Sequence, residues 1–326
     1  MKTFLLRRLT RRTALGASLL FAFGAPAVQA QGWPDRPIKF IVPTTPGSAG
    51  DVLGRVLAET MNRTLNATIV VENKAGADQI IGLEHVAKGA PVDGYTVAVV
   101  GIDGQALLPI TKKGLRFDPR KDLTLVAGIA EGRYVLAGPA SAPYRNLKEF
   151  VQAAKAAPGK FNYGASGPVV RIPMLILMRD MGIDMVHVPF RGGGPYSAEL
   201  AAGTLQLGFL SESSARPLAS RLRFYGVTGS TRSPGNPDVP TLAEQGVSGV
   251  YGPAYGLAVR AGTPKAVVDK LSAAAAAAME SPEFKARTHG LLFAFRYDNA
   301  EMAQRLLDER VRAYQEIARR VGLEAE

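Results

Sequence analysis

The sequence contains no cysteine. This excludes disulfide bonds, thiolate zinc sites, iron–sulfur clusters, a thiol nucleophile and a lipid-modified N-terminal cysteine. Charged residues make up only 21% of the chain and hydrophobic residues 47%, which excludes a disordered protein. A mean hydropathy near zero excludes a polytopic membrane protein. The 326 residues are sufficient for two lobes or for one large α/β unit.

Motifs for catalysis and cofactor binding are also missing. The three histidines, His85, His187 and His289, have no metal-ligand spacing, and His187 lies inside an apolar run that is typical of a structural residue. Ser166 lacks the Gly-x-Ser-x-Gly spacing of a nucleophile elbow. No glycine-rich phosphate loop or dinucleotide-binding fingerprint occurs. The sequence therefore gives no support for an enzyme and predicts neither a metal nor a cofactor.

The first 30 residues have the three parts of a signal peptide. Five basic residues come first, an apolar segment spans Ala14 to Phe23, and small residues follow at Val28-Gln29-Ala30. The segment is too short for about 30 Å of hydrocarbon, which disfavours the alternative of a membrane anchor. Thr10-Arg11-Arg12 leaves both the twin-arginine and the general secretory route open. We therefore expect a protein that leaves the cytoplasm.

Export changes the meaning of the net charge. The full chain carries +11, but removal of residues 1–30 takes away five positive charges and no negative charge, which leaves +6. That value is ordinary for a soluble protein of this size. No basic run follows residue 30, so the sequence gives no reason to expect a nucleic-acid partner.

Short apolar runs alternate with amphipathic segments along the rest of the chain. This pattern is typical of helices that cover both faces of mainly parallel sheets. Asp51 is expected to cap the first helix, and Asp298 with Glu301 is expected to form the capping box of the last one. The predicted strands are 38–42, 69–72, 95–100, 161–163, 185–188 and 205–210, and the predicted helices between them are 80–88, 147–156, 172–181 and 196–202. Two such series predict two α/β lobes.

Four loops of small residues stand between predicted strand ends and helix starts. They are 43–50, 76–77, 164–168 and 191–194. A helix N-terminus presents unpaired N–H groups and a partial positive charge to a nearby anion. Open α/β sheets bind their ligands at this edge. The loops therefore indicate a carboxylate receptor, although each loop alone is also compatible with a simple turn.

A series of short motifs carries a resemblance to a known family. The motifs are, in order, Trp33-Pro34-Asp35-Arg36-Pro37-Ile38, Val42-Pro43, Pro46-Gly47, Val71-Glu72-Asn73-Lys74, Gly76-Ala77, Ile81-Gly82, Asp93-Gly94-Tyr95-Thr96, Phe117-Asp118-Pro119, Pro158-Gly159-Lys160-Phe161-Asn162-Tyr163, His187-Val188-Pro189-Phe190-Arg191-Gly192, Val227-Thr228-Gly229, Pro237-Asp238-Val239-Pro240-Thr241 and Ala261-Gly262-Thr263-Pro264. With these motifs, residues 33–323 resemble the tripartite tricarboxylate transporter substrate-binding proteins, the Bug family of periplasmic solute receptors.

The resemblance implies a two-lobed periplasmic-binding-protein (flytrap) fold, with two doubly wound sheets and a ligand cleft between them. Lobe one would comprise residues 31–133 plus 256–326, and lobe two residues 134–255. It also implies a monomeric receptor that delivers a small carboxylate to the permease subunits of a tripartite tricarboxylate-type transporter. The ligand-binding residues that it implies are Thr44, Thr45, Gly47, Ser48, Asp51, Gly76, Ala77, Asp78, Gln79, Ser166, Gly167, Arg171, Arg191 and Ser211.

Several positions depart from the family pattern. Asp78 and Gln79 replace family glycines, so Asp78 either points away from the ligand, meets a donor on it, or signals a ligand other than an ordinary dicarboxylate. Thr44-Thr45 lacks the usual aromatic residue. Ser211 follows the position of a family aspartate. Arg171 replaces a family histidine and is either a bidentate carboxylate partner or a surface residue.

Two other functions remain open at this stage. The same closed lobe pair could be presented to a membrane sensor kinase instead of a permease. A periplasmic enzyme on this scaffold would need a catalytic group in the cleft.

Overall fold

The structure is a computed structural model and describes residues 32–325. The predicted signal peptide lies outside the described residues. Within them, no helix is both long enough and apolar enough to cross a membrane.

Eleven strands and ten helices alternate along the described chain. The strands are β1 Ile38–Val42, β2 Ile69–Asn73, β3 Thr96–Gly101, β4 Leu123–Glu131, β5 Tyr134–Pro139, β6 Phe161–Ala165, β7 Met185–Pro189, β8 Gly208–Ser211, β9 Leu222–Val227, β10 Ala254–Arg260 and β11 Ala294–Asn299. The helices are α1 Ala49–Leu65, α2 Ile80–Glu84, α3 Ile102–Thr111, α4 Leu147–Ala156, α5 Pro168–Met181, α6 Gly193–Ala202, α7 Glu212–Ala215, α8 Lys265–Glu280, α9 Pro282–Thr288 and α10 Ala300–Val321.

The larger sheet has six strands in the order β11-β4-β10-β3-β1-β2. Strands β1, β2 and β3 are parallel, whereas β10 runs antiparallel to β3 and β4. Phe40, Ile41 and Val42 of β1 are fully buried, because helices cover both faces of a parallel sheet. The carboxyl ends of β1, β2 and β3 therefore point to the same edge, where ligands bind in open α/β sheets.

The remaining strands form two smaller sheets. Strands β8, β5 and β9 are antiparallel neighbours, and β6 pairs with β7 in parallel. Backbone hydrogen bonds from Gly164 to Leu207 and from Gln206 to Asn162 join β6 to the residues just before β8. The predicted two-lobed α/β fold is confirmed, with this second lobe divided between two sheets.

The chain crosses between the large sheet and the smaller sheets at two neighbouring points. One lies at Gly132, between β4 and β5, and the other just before β10. The Gly132 N–H donates to the carbonyl of Pro253 at 2.7 Å, so the two crossing segments are hydrogen-bonded to each other. The exact lobe limits, 31–133 plus 256–326 and 134–255, stay a prediction.

The C-terminal helices pack on the six-stranded sheet. Helix α8 contacts α1 and β4, and α10 contacts α3 and β4. Of the apolar stripe expected on α10, Leu307, Val311, Tyr314 and Ile317 are buried, and Val321 is half-buried. The predicted packing of these helices against the first lobe is therefore observed.

Two predicted helix caps lie elsewhere. Ser48, and not Asp51, is the N-cap of α1, and its hydroxyl accepts from the N–H of Asp51. Asn299, and not Asp298, is the N-cap of α10 and accepts from the N–H of Met302. Both observed caps have the extended backbone and the short polar side chain that an N-cap needs.

Candidate functional site

A cleft of about 690 Å³ is lined by loops from both lobes. The large sheet contributes the loops after β1 and β2 and the junction of β3 with α3, and the second lobe contributes the loops after β6 and β7. The predicted residues that line the cleft are Thr44, Thr45, Ser48, Gly76, Ala77, Asp78, Gln79, Ser166, Gly167 and Arg191. The structure thus brings together the four loops that the sequence singled out.

The first loop is fixed by Asp51, which does not itself line the cleft. Its carboxylate accepts from the Gly47 N–H at 2.9 Å and the Asn73 side-chain amide at 2.8 Å, and it pairs with Arg55. Burial acts to raise the pKa of the Asp51 carboxyl, but the hydrogen bonds that it accepts outweigh burial and hold the pKa below its ordinary value. Gly47 and Asp51 therefore stabilise the conformation of the loop without lining the cleft. Ser48 faces the cleft and shares a hydrogen bond with Thr44 Oγ1 at 2.6 Å.

The second loop has an unusual backbone. Ala77, Asp78 and Gln79 have φ values of 46°, 54° and 79°, in the left-handed region that favours glycine. Each such residue costs about 1 kcal/mol relative to glycine. The Asp78 carboxylate pairs with Lys112 at 3.0 Å, and the Gln79 amide lies over the first turn of α3, 2.8 Å from where a Cβ on Gly104 would be. The loop is thus strained and held in place by its own side chains.

The second lobe presents two helix N-termini to the cleft. Gly167 precedes α5 and Gly192 precedes α6, and neither helix has a side-chain cap at its N-terminus. Gly167 has a φ of 145°, and a Cβ there would lie 3.2 Å from Oδ1 of Asp78, so the two lobes approach closely at this point. The uncapped N–H groups of α5 and α6, together with Arg191, are well suited to an anion.

Besides Gly47 and Asp51, two more predicted residues do not line the main cleft. Arg171 lines an adjoining cavity of about 420 Å³, together with Lys112 and His187. Burial raises the pKa of the Tyr163 hydroxyl, and the hydrogen bond between that hydroxyl and the Arg171 guanidinium acts in the opposite direction. Ser211 is the N-cap of α7, where its hydroxyl accepts from the Ser214 N–H at 3.3 Å.

The end of the cleft beside the two crossing segments, here called the hinge end, was not predicted from the sequence. It is lined by Asp103, Tyr134 and Tyr255. Asp103 is buried and accepts from the Ala254 N–H and the Tyr314 hydroxyl, each at 2.7 Å. Asp103 lies in the first turn of α3, which begins directly after β3, so it also stands at a junction of strand and helix, the feature that pointed to the four loops. The tyrosines carry no comparable sequence signal, because Tyr134 is the first residue of β5 and Tyr255 the second residue of β10, and both strands are ordinary.

The arrangement is suited to binding an organic anion. Three helix N-termini, those of α1, α5 and α6, open on one cleft, and dipole and N–H groups there stabilise negative charge. In the part of the chain that the structure describes, no group of three or more histidine, aspartate or glutamate side chains could hold a metal ion.

This fold and cleft define a solute-binding receptor of the periplasmic-binding-protein type. Residues 53–323 match the family described as the tripartite tricarboxylate transporter family receptor. The chain therefore belongs to this family of periplasmic receptors, and the resemblance noted in the sequence is confirmed.

Individual relatives agree with this assignment. The chain is 30% identical over 314 residues, and 95% of each chain, to a UPF0065 protein from the gbd 5′ region of Cupriavidus necator. A structure of an R. palustris protein with adipate has a TM-score of 0.84 and 25% identity, and the match covers 90% of this chain and 100% of that one. MatC from Rhodopseudomonas palustris, solved with bound malate, has a TM-score of 0.79 and 28% identity, over 87% and 99% of the two chains.

Proposed function

We propose that this chain is a periplasmic receptor that captures a small carboxylate between its lobes for a tripartite tricarboxylate-type transporter. The observation that carries the proposal is the convergence of the α1, α5 and α6 N-termini on one cleft of about 690 Å³. The two R. palustris relatives were solved with adipate and malate, and both molecules are carboxylates. The ligand contacts proposed here are the ten predicted residues that line the cleft.

Weak contacts are sufficient for useful affinity. A micromolar dissociation constant corresponds to about −8 kcal/mol. Closure of the lobes would exclude water around the carboxylate, so that several charge-assisted hydrogen bonds from N–H groups and Arg191 offset the cost of association. The closed form would then differ from the open form on its outer surface, which gives a permease a basis for recognising the loaded receptor.

We further propose that residues 1–30 direct export and are removed, and that the receptor acts as a monomer whose partners are the permease subunits. The ligand would be bound and released without chemical change. Family membership supports the permease partner and binding without chemical change, since the family consists of transporter receptors. It favours a permease over the sensor kinase or the enzymatic role considered from the sequence.

The test begins with the full chain expressed in a host with a periplasm. The protein is purified from the periplasmic fraction, and mass spectrometry of its N-terminus is expected to show Gln31 as the first residue. Thermal unfolding is then measured with mono- and dicarboxylates and with the matching uncharged amides. We expect at least one carboxylate to raise Tm with concentration, and its amide to have no effect, because a ligand stabilises only a state that binds it.

A matched pair of variants places the binding in the cleft. Ser166 lines the cleft, and Ser166→Phe would fill the space beside the α5 N-terminus, so the shift in Tm should disappear. Ser141 is exposed, and Ser141→Phe should keep the full shift. The proposal fails if no carboxylate raises Tm, if Ser166→Phe leaves the shift intact, or if the recovered ligand has been chemically altered.

A further inference from the structure

Within residues 32–325, the hydroxyls of two tyrosines at the hinge end of the cleft have no hydrogen-bond partner. These are Tyr134 and Tyr255, and both residues line the cleft. Neither hydroxyl oxygen is fully enclosed. A phenol sealed without a partner would be costly, and the cleft is the open space beside both residues. Both hydroxyls are therefore within reach of a bound molecule.

The rings that carry these hydroxyls are held firmly. Tyr134 meets Phe209 edge to face, with 6.4 Å between ring centroids, and Tyr255 meets Phe293 in the same way at 5.7 Å. The N–H of Tyr134 also donates to Thr228 Oγ1 at 2.9 Å. A polar group fixed in advance loses little entropy when a ligand binds to it, so such groups contribute effectively to specificity.

Asp103 places an acidic residue at the hinge end of the cleft. Its side chain is only 5% exposed, and its carboxylate pairs with two side chains of α10 that do not line the cleft, Arg310 at 3.4 Å and Tyr314 at 2.7 Å. Of this ion pair, the acidic residue therefore stands nearer the cleft than the guanidinium. A hydrogen-bond donor on the ligand is compatible with this acceptor, whereas a second ligand carboxylate would face an acidic residue there.

We propose that Tyr134, Tyr255 and Asp103 form a subsite for a neutral hydrogen-bond donor, and that the ligand is a monocarboxylate with a hydroxyl or amide at its far end. The inference rests on the proposed function, in which the helix N-termini and Arg191 hold the carboxylate. The carboxylate binds at these groups and the neutral end reaches the hinge. The tyrosines are then specificity-determining residues that distinguish such a ligand from a dicarboxylate of the same length.

The experiment compares ligands that differ only at one end. Calorimetric titrations of the purified protein use 6-hydroxyhexanoate, hexanoate and adipate, and then 4-hydroxybutanoate, butanoate and succinate. In the length that fits, we expect the hydroxy acid to bind about tenfold or more tightly than the plain acid, since two or more hydrogen bonds form. The dicarboxylate should bind more weakly than the hydroxy acid.

Variants that remove single hydroxyls identify the groups responsible. Tyr134→Phe and Tyr255→Phe keep the rings and their aromatic contacts, and each should weaken binding of the hydroxy acid about three- to tenfold while leaving the plain acid unchanged. Tyr297→Phe is the matched control, because its hydroxyl bonds Ser272 and does not line the cleft. All its affinities should match those of the unmodified protein.

The outcomes separate this inference from the proposed function. Tighter binding of the dicarboxylate than of the hydroxy acid, or tyrosine variants that leave the preference unchanged, would overturn the subsite while carboxylate binding stands. Tyrosine variants that weaken all three ligands equally would also overturn it, because a general loss indicates a change in the structure of the cleft. If none of the six carboxylates binds and the wider carboxylate panel also fails, the proposed function falls and the subsite falls with it.

Discussion

The carboxylate of Asp78 lies 3.0 Å from the ammonium group of Lys112, at the boundary between the cleft and the adjoining cavity. Both side chains are about one-quarter to one-third exposed. The sequence left three interpretations of Asp78 open, and the structure shows that its charge is paired within the protein. Asp78 still faces the cleft, so it contributes negative charge beside an incoming carboxylate.

Asp78→Gly is expected to tighten carboxylate binding about fivefold. The change removes a like charge from the wall of the cleft, and an interaction of that kind across partly solvated space is worth about 1 kcal/mol. Glycine adopts a φ of 54° without strain, which offsets the lost ion pair, so the free energy of unfolding should change by less than about 1 kcal/mol. Calorimetric titration and urea unfolding measure the two effects.

Ala77→Gly separates charge from backbone strain in this loop. Ala77 has a φ of 46°, so its replacement relieves a similar backbone cost without altering any charge. We expect carboxylate affinity within twofold of the unmodified protein. Equal gains in affinity for Ala77→Gly and Asp78→Gly would show that relaxation of the loop, and not the charge of Asp78, controls binding.

Much of the site follows from local sequence. Helix N-termini and turns of small residues are local features. For that reason the loops at Thr44, Gly76, Gly167 and Arg191 could be recognised from the sequence, without knowledge of the cleft that they line. The pairing of Asp78 with Lys112 could not be, since it depends on how two separate loops fold towards each other. The same holds for Tyr134 and Tyr255, which line one cleft only because the two crossing segments of the chain run side by side.

The two arginines predicted to bind ligand should behave differently. Arg191 lines the cleft and Arg171 the adjoining cavity. Arg191→Ala is expected to weaken carboxylate binding by about 1.5 to 3 kcal/mol, the range for a hydrogen bond to a charged group. Arg171→Ala should change affinity by less than twofold and lower stability through loss of its contact with Tyr163. A larger loss of affinity for Arg171→Ala would support the prediction made from the sequence and place the carboxylate in the adjoining cavity.

Asp51 should make the first loop sensitive to acid. Hydrogen bonds hold the pKa of its carboxyl below the ordinary value of 3.8, so its stabilising effect is complete above that value and is lost as the pH falls through the folded-state pKa. Asp51→Asn is expected to cost about 1 to 3 kcal/mol at pH 7. The difference from the unmodified protein should shrink below pH 3.8, as urea unfolding across that range would show.

The control for Asp51 is an exposed carboxylate. Asp269 pairs with Lys265 on the surface of α8, and Asp269→Asn should alter stability by less than about 0.5 kcal/mol at pH 7. A difference between Asp51→Asn and the unmodified protein that stays constant down to pH 3 would contradict the assigned role, because it would mean that the charge of Asp51 does not contribute.

Gly252→Ala tests the point at which the two crossing segments meet. A Cβ at Gly252 would overlap the backbone carbonyl oxygen of Gly132 and come within 3.3 Å of Thr228 Oγ1, and neither backbone segment can move aside without disturbing the Gly132–Pro253 hydrogen bond. We expect a loss of about 1 to 3 kcal/mol in the free energy of unfolding. Because the two segments connect the lobes that carry the helix N-termini, carboxylate affinity should fall by at least tenfold.

The control is Gly194→Ala, where no heavy atom lies within 4 Å of the added methyl group. This change should instead raise stability slightly, since alanine favours the helix. Unchanged affinity in a Gly252→Ala protein that has lost stability would show that closure of the cleft does not depend on the close contact of the two crossing segments.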